Sequence, residues 1–261
     1  MKQISSPNNE QIRHLYRLLS QGKFRRQYAQ TVLEGVHLLQ VFLQSGRKPV
    51  GVYIPEAKMP SEEVRKLTAV LPEDRIFSVS DGILKKISSL SCADDILALI
   101  DIPLGGTLPD RGDCVVLDGV QDPGNVGTVL RSAAAAGVGT VVLGRGSADV
   151  WSPKVLRAGM GAHFLLDIYS QADLEIWLAH YEDRVFATAL REEKQAVLYG
   201  EDLCGPTAWV FGNEGAGVGK AVLDRADKCV RIPMHDATES LNVAMAATIC
   251  LFEQMRQRTA Y

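Results

Sequence analysis

Three loops rich in glycine and asparagine follow predicted strands in the second half of the chain. They read LDGVQDPGNVGTVLR (residues 117–131), FGNEGAGV (residues 211–218) and IPMHDATESLNV (residues 232–243). In parallel sheets, ligands bind beyond the carboxyl ends of the strands. Glycine lets a ligand approach the backbone closely. The pattern therefore predicts that the three loops form one ligand-binding site.

These loops lack the glycine spacing of the common phosphate-binding motifs. A P-loop would need glycine at Glu214 and a hydroxyl side chain at Ala221. A G-x-G-x-x-G loop that starts at Gly215 would need glycine at Lys220. The sequence also has no G-x-S-x-G turn of the hydrolase type. The loops favour a flat, largely uncharged ligand part, such as an adenine ring, over a triphosphate.

The strands that position these loops alternate with helices in two stretches of the chain. Residues 103–112 lie between the two stretches and are dense in glycine, proline and aspartate, which is typical of a domain boundary. We therefore predict a domain of residues 1–102, a linker of residues 103–112 and a domain of residues 113–261. Six short apolar strands in the second domain predict a mainly parallel sheet, and the expected fold class is α/β.

The last predicted helix is apolar on nearly every face. Ser240 is the expected N-cap. The apolar positions that follow are Leu241, Val243, Ala244, Ala246, Ala247, Ile249, Cys250, Leu251 and Phe252. Such a helix must be covered on more than one side, so a second subunit is expected against it. Asn242 is the polar exception, and the helix alone leaves both a capping role and a ligand-binding role open to it.

Positive charge is concentrated near the amino terminus. The whole chain has a net charge of −3. The first 50 residues carry eight Lys or Arg and two Glu, a net charge of +6. Within them, Lys23, Arg25 and Arg26 alternate with aromatic residues, a pattern typical of nucleic-acid contact. We predict RNA binding by these three residues, with a solvated helix face as the alternative.

The cysteines and the apolar runs indicate the expected compartment. Five cysteines without C-x-x-C spacing are typical of reduced thiols in a cytosolic protein and predict neither disulfides nor a metal site. The first fifteen residues lack the apolar core of a signal peptide. No apolar run reaches the roughly 18 residues of a membrane span. We expect a cytoplasmic protein that does not contact a membrane.

The three loop motifs together carry a family resemblance. DPGNVG followed by Arg131, then FGNEGAGV, then IPM with SLNV resemble the three motifs of the SpoU (TrmH-like) family of RNA ribose 2′-O-methyltransferases, in the SPOUT superfamily. The resemblance covers residues 113–258 in order, and residues 152–164 resemble the family's linking segment. More loosely, the amino-terminal part resembles the ribosomal-protein-like RNA-binding domain of many members.

The resemblance implies a fold, a cofactor and an assembly. It implies a carboxyl-terminal trefoil knot, which topology rules alone would not suggest. It also implies S-adenosyl-L-methionine (AdoMet) as the cofactor and a homodimer through the catalytic domain. Ribosomal RNA is the expected substrate because a basic domain precedes the catalytic one, and transfer RNA is the runner-up. The alternative to an enzyme is a non-catalytic RNA-binding or ribosome-assembly protein with the same fold.

The resemblance further implies roles for single residues. Asn125 and Arg131 would be catalytic, and Glu214 would position them. The cofactor would be bound by Leu190, Gly212, Asn213, Gly215, Ile232, Met234, Ser240, Leu241 and Asn242. For Ile232 and Leu241 the alternative is core packing, and for Arg131 it is a solvated cation on a helix surface.

Arg131 deserves a physical interpretation of its own, because the reaction must deprotonate a weakly acidic ribose hydroxyl. Family proposals make Arg131 the base, but a guanidinium stays protonated in proteins. We favour Arg131 as a preorganised electrostatic stabiliser that also binds a substrate phosphate. Two positions depart from the family pattern: Asp236 stands where glycine is usual, and Gly159 stands where serine is frequent.

Overall fold

The computed structural model describes residues 2–89, 95–103, 105–189, 195–235 and 240–259. Contacts divide the chain into two compact units. The first unit comprises Met1–Leu104 and Trp151–Phe164, and the second comprises Gly105–Val150 and Leu165–Tyr261. The segment Trp151–Phe164 therefore packs with the amino-terminal residues, although the domain division predicted from the sequence places it within residues 113–261.

The described part of the first unit contains a five-stranded mixed sheet in the order β1-β4-β3-β5-β2. Its strands are β1 (Lys2–Ile4), β2 (Gln30–Glu34), β3 (Gly51–Pro55), β4 (Ile76–Val79) and β5 (Leu97–Asp101). β4 is parallel to β1 and β3, whereas β5 is antiparallel to β2 and β3.

The described part of the second unit contains a seven-stranded sheet in which every neighbouring pair is parallel. Its order is β10-β12-β9-β11-β6-β7-β8. The strands are β6 (Cys114–Asp118), β7 (Thr140–Gly144), β8 (Asp167–Ala172), β9 (Arg184–Thr188), β10 (Gln195–Val197), β11 (Thr207–Gly212) and β12 (Lys228–Arg231). The predicted α/β class with a mainly parallel sheet is confirmed. In this unit the six predicted strands are joined by a seventh, the short edge strand β10, which the sequence does not predict.

Helices connect the strands in both units. They are α1 (Glu10–Ser20), α2 (Gly22–Tyr28), α3 (Val36–Gln44), α4 (Glu62–Thr68), α5 (Ile83–Ile87), α6 (Pro123–Ala135), α7 (Pro153–Gly159), α8 (Leu174–Leu178), α9 (Lys220–Arg225) and α10 (Val243–Arg258). Short 3₁₀ turns occur at Glu56–Lys58, Glu73–Arg75, Ala162–Phe164 and Leu198–Gly200. None of the described helices is long and apolar enough to cross a membrane.

The second sheet is covered on both faces, as expected for parallel strands. Successive residues of β11 point to opposite faces. Val210 packs in the apolar cluster formed with α8 and α9. Its neighbour Trp209 is fully buried, and its indole N–H donates to Gln254 of α10. Burial of the Trp209 ring on one face and of the Val210 side chain on the other therefore holds β11 in place. The second predicted loop starts at the carboxyl end of this strand.

Capping residues set where the two helices next to the site begin. Asp122 is the N-cap of α6, and its Oδ1 accepts from the backbone N–H of Asn125 at 2.8 Å. The N-cap of α10 is Asn242, whose Oδ1 accepts from Ala244 N at 2.9 Å and from Met245 N at 3.3 Å. The prediction of Ser240 as this N-cap is therefore wrong, because the helix begins only at Val243.

Candidate active site

The first and second predicted loops are joined by hydrogen bonds at the carboxyl ends of the adjacent strands β6 and β11. The Asn213 side-chain N–H donates to the carbonyl oxygen of Gly119 at 2.9 Å. The backbone N–H of Gly219 donates to Asp118 Oδ2 at 2.7 Å. The expected meeting of these two loops at one edge of the sheet therefore takes place in the structure.

The second loop folds back on itself in a tight turn. The backbone groups of Asn213 and Gly217 exchange two hydrogen bonds of 2.9 Å. A Cβ atom added to Gly212 would lie 2.1 Å from the carbonyl carbon of Gly217, far inside van der Waals contact. Gly217 has a φ of +71°, which favours glycine. The glycines thus serve the close approach of the loop to itself.

A chain of side-chain hydrogen bonds links the third loop to the first and the first to the second. Asn242 Nδ2 donates to Asn125 Oδ1 at 2.9 Å, and Asn125 Nδ2 donates to Glu214 Oε1 at 2.9 Å. Because Asn242 Oδ1 already caps α10, its amide group must present N–H to Asn125. The cap therefore sets the orientation of both amides, and Asn242 has a structural role at the same place as its predicted binding role.

Glu214 holds the first loop through its carboxylate. Its two oxygens accept from the backbone N–H groups of Gln121 and Asp122, each at 3.1 Å, in addition to Asn125. Partial burial raises the pKa of Glu214, but the hydrogen bonds from Asn125, Gln121 and Asp122 outweigh it and hold the pKa below its ordinary value. Glu214 is therefore ionised near neutral pH and acts as an acceptor that positions Asn125.

A cavity of about 660 Å³ lies against the second and third loops. Its size falls within the usual range of pockets for small molecules and cofactors. Eight of the nine predicted cofactor-binding residues line it, and the ninth, Leu190, lies outside the described residues. The eight are Gly212, Asn213, Gly215, Ile232, Met234, Ser240, Leu241 and Asn242. The structure thus brings together the described residues of this set, while their contact with a cofactor stays a prediction.

Arg131 stands apart from the cavity within the single chain. It lies on α6, six residues after Asn125, which corresponds to about 9 Å along the helix axis. Its side chain is exposed and makes no hydrogen bond or ion pair with the described residues, and it does not line the cavity. Among the described residues, the side chain of Asn125 contacts Glu214 and Asn242 and not Arg131.

The basic residues predicted to bind RNA differ in exposure. Lys23 and Arg26 are exposed on α2. Arg25 is 5% exposed, and its guanidinium donates to the carbonyl oxygens of Leu18 and Leu19. These bonds satisfy carbonyls at the end of α1, so the side chain is not available for the RNA contact predicted for Arg25.

The sequence analysis did not identify three residues at the carboxyl ends of strands in the second sheet. Thr188 ends β9 and Arg231 ends β12, and both line the cavity. Asp118, at the end of β6, accepts the N–H of Gly219. Their position in the sequence could have identified them, because each is the last residue of a parallel strand and ligands bind beyond the carboxyl ends of such strands.

The cavity lies at the carboxyl ends of strands of a parallel sheet, where ligands bind in such folds, and comparison with known proteins gives the class of the protein. Residues 113–252 match the model of the SpoU rRNA Methylase family, and residues 9–98 match that of the MRM3-like substrate binding domain. The chain belongs to the SpoU rRNA methylase family.

Full-length relatives agree with this assignment. The 23S rRNA (guanosine(2553)-2′-O)-methyltransferase RlmP of Bacillus subtilis (strain 168) is 31% identical, over 97% of this chain and 98% of its own. A crystal structure of an RNA 2′-O ribose methyltransferase matches with a TM-score of 0.80 and 32% identity, over 98% of this chain and 99% of that one.

The AdoMet-bound rRNA methyltransferase from Sinorhizobium meliloti matches with a TM-score of 0.84 and 27% identity, over 99% of both chains. The predicted family, the enzyme class of RNA (ribose-2′-O-)-methyltransferase and the cofactor AdoMet are thereby confirmed.

Proposed function

We propose that this protein transfers the methyl group of AdoMet to a ribose 2′-hydroxyl of ribosomal RNA. The observation that carries the proposal is the cavity lined by the described residues of the predicted cofactor set. The similarity to RlmP, which is named for 23S rRNA, extends over nearly the whole chain and favours ribosomal over transfer RNA.

The lining of the cavity suits AdoMet. It combines apolar side chains with two asparagine amides and a glycine-rich backbone, and it carries few charges. This donor set fits an adenosine group, which needs apolar contacts and directed hydrogen bonds. Leu241 is 39% exposed beside the cavity, which argues against core packing as its role. Ile232 is 9% exposed, so we assign its backbone to AdoMet binding and its side chain to packing in the core.

The chemistry assigned to the chain's own residues is electrostatic. AdoMet would supply the methyl carbon of its sulfonium and leave as the neutral thioether, and the RNA hydroxyl would supply the oxygen and release its proton to water. The Arg131 guanidinium stabilises the oxygen as negative charge develops and binds a phosphate of the substrate. Glu214 and Asn242, which line the cavity, hold Asn125 from both ends of its amide, so Asn125 is a preorganised donor and acceptor beside the cavity. Its role is therefore to orient the reacting groups.

A homodimer through the second unit is part of the proposal. Met245 is 48% exposed and Phe252 is 39% exposed on α10. These residues are seven positions apart and therefore lie on one helix face. The other residues of α10 up to Gln254 are buried or half-buried. An exposed apolar face on such a helix is typical of a subunit interface. A second copy of α10 and its surroundings would cover it.

The trefoil knot and the domain division are also proposed. The order of the second sheet places β12 between β10 and β9 instead of at its edge. Strand insertion of this kind, together with the likeness to solved family members, supports the knot. We assign residues 1–102 to RNA substrate binding, residues 103–112 to a linker and residues 113–261 to catalysis. The match of residues 9–98 to a substrate binding domain supports the first assignment. We further propose that the protein is cytoplasmic.

Transfer of a labelled methyl group tests the function. The purified protein is incubated with AdoMet that carries a deuterated methyl group and with RNA from cells that lack the gene. Nucleosides from separated ribosomal and transfer RNA are then analysed by mass spectrometry. Labelled 2′-O-methylnucleoside in ribosomal RNA is expected. Label confined to transfer RNA would support the runner-up substrate, and RNA binding without any label would support the non-catalytic alternative.

A further inference from the structure

Among the described residues that line the cavity, two carry a charge, and their surroundings differ. Glu214 is engaged by the backbone N–H groups of Gln121 and Asp122 and by the side chain of Asn125. The side chain of Arg231 is exposed and makes no hydrogen bond or ion pair with any described residue. The negative charge of the lining is therefore already used within the protein, and the positive charge is available to a ligand.

The backbone of Arg231 is held by the sheet. It is the last residue of β12 and is paired in register with Val197 of β10. Its neighbours Val230 and Ile232 are buried and also line the cavity. A cationic side chain that starts from a fixed strand end is better preorganised for one ligand than a side chain on a free loop.

The chemistry of AdoMet identifies the group that a guanidinium would recognise. AdoMet has two positive groups, the sulfonium and the ammonium, and one negative group, the carboxylate of its methionine part. Arginine binds carboxylates through two parallel hydrogen bonds and repels cations. We propose that Arg231 binds the carboxylate of AdoMet and thereby selects the intact amino-acid part of the cofactor. The inference rests on AdoMet binding in this cavity.

A comparison of two ligands and two proteins tests this pairing. AdoMet and its decarboxylated analogue are titrated by calorimetry into the wild-type protein and into Arg231→Ala. We expect the wild type to bind the analogue roughly tenfold more weakly than AdoMet, the usual size of a hydrogen-bonded charge pair. In Arg231→Ala the two ligands should bind equally, both with the wild type's affinity for the analogue.

Two further variants serve as controls for the Arg231→Ala measurement. Arg225→Ala removes an exposed cation from α9 that does not line the cavity, so it should keep the full preference for AdoMet. Arg231→Lys keeps the charge but loses the paired geometry, so it should keep only part of the preference. Thermal melting of each variant checks that the fold is retained, and the lysine variant decides the matter if the alanine variant does not fold.

Three results would overturn the inference. If Arg231→Ala weakens the binding of both ligands by the same factor, Arg231 does not bind the carboxylate of AdoMet. If it leaves both affinities unchanged and instead reduces the salt dependence of RNA binding, its partner is an RNA phosphate. If the wild type binds neither ligand, the proposed AdoMet site itself fails, and this outcome is distinct from the first two.

Discussion

Each unit of this protein contains a glutamate that accepts several hydrogen bonds, but the two differ in burial and in the charge of their donors. Glu34 ends β2 in the first unit, and its side chain is 1% exposed. It accepts from Arg157 Nη1 at 2.5 Å, from Ser88 Oγ at 2.8 Å and from Ser89 N at 2.7 Å. Glu214 in the second unit is exposed, and its donors, Gln121 N, Asp122 N and Asn125 Nδ2, are neutral.

The difference separates structural from functional use of the same side chain. A buried ion pair is costly to break, because the remaining partner stays charged and out of water. Arg157 lies on α7, so its bond to Glu34 fastens the segment Trp151–Phe164 within the first unit. An exposed carboxylate with neutral donors contributes less to stability, since water can replace those donors. Glu214 therefore serves the geometry of the site more than the stability of the fold.

The largest effect is expected from breaking the ion pair between the buried Glu34 and the half-buried Arg157. Arg157→Met should lower the free energy of unfolding by about 3 kcal/mol, because Glu34 then stays buried without its cation. Chemical denaturation measures the change. Lys66→Met is the matched control, because its ion pair with Glu62 is on the surface and contributes at most about 0.5 kcal/mol. If both variants lost the same free energy of unfolding, the proposed difference between buried and exposed carboxylates would be contradicted.

The next effect concerns turnover and not stability. Arg131→Lys should lower kcat by about 10²- to 10³-fold, the usual loss when one preorganised stabiliser is displaced. AdoMet affinity should stay unchanged, because Arg131 does not line the cavity. Single-turnover methyl transfer and calorimetry separate the two quantities, with Arg225→Lys as control. Near-normal turnover in Arg131→Lys would exclude the proposed role.

A smaller effect should follow from removing the exposed carboxylate. Glu214→Ala frees the amide of Asn125 and the backbone of the first loop, which should weaken AdoMet binding by roughly tenfold. The free energy of unfolding should fall by about 1 kcal/mol or less, in contrast to Arg157→Met. Calorimetry and chemical denaturation on the same preparation test both parts. A loss of stability as large as that of Arg157→Met would show that Glu214 is structural.

The smallest effect is a pH dependence. The pKa of Glu214 is below its ordinary value of 4.5 in the folded protein, so its ionised form is the stabilised one. Its contribution is complete above the ordinary value and is lost as the pH falls through the lowered pKa. AdoMet affinity attributable to Glu214 should therefore be constant from neutral pH down to about pH 5. Titrations of the wild type and Glu214→Ala at several pH values measure it, and a difference that already changes between pH 7 and pH 5 would contradict the assignment.

Much of the second unit could be predicted because its signals are local. Short apolar strands alternate with helices, and the loops at the strand ends carry their glycines and asparagines in sequence. The choice between Ser240 and Asn242 as N-cap could not be made in this way. Both side chains can cap a helix, and the choice depends on where Asn242 Oδ1 meets Ala244 N and Met245 N.

The packing of Trp151–Phe164 with the first unit depends on contacts between distant positions. Thr31 Oγ1 donates to the carbonyl oxygen of Trp151 at 2.8 Å. A Cβ atom added to Gly161 would lie 2.6 Å from Val41 Cγ1, so a glycine is needed for that approach. Neither contact leaves a periodic pattern in the sequence. The burial of Arg25 is similar, because a cation in a basic cluster is indistinguishable by sequence from its exposed neighbours.

Titration of the purified protein with AdoMet tests most directly whether the described loops form one cofactor site. The joined loops and the cavity predict a saturable heat of binding with one site per chain. Absence of saturable binding up to millimolar AdoMet, with the protein shown to be folded, would contradict the account.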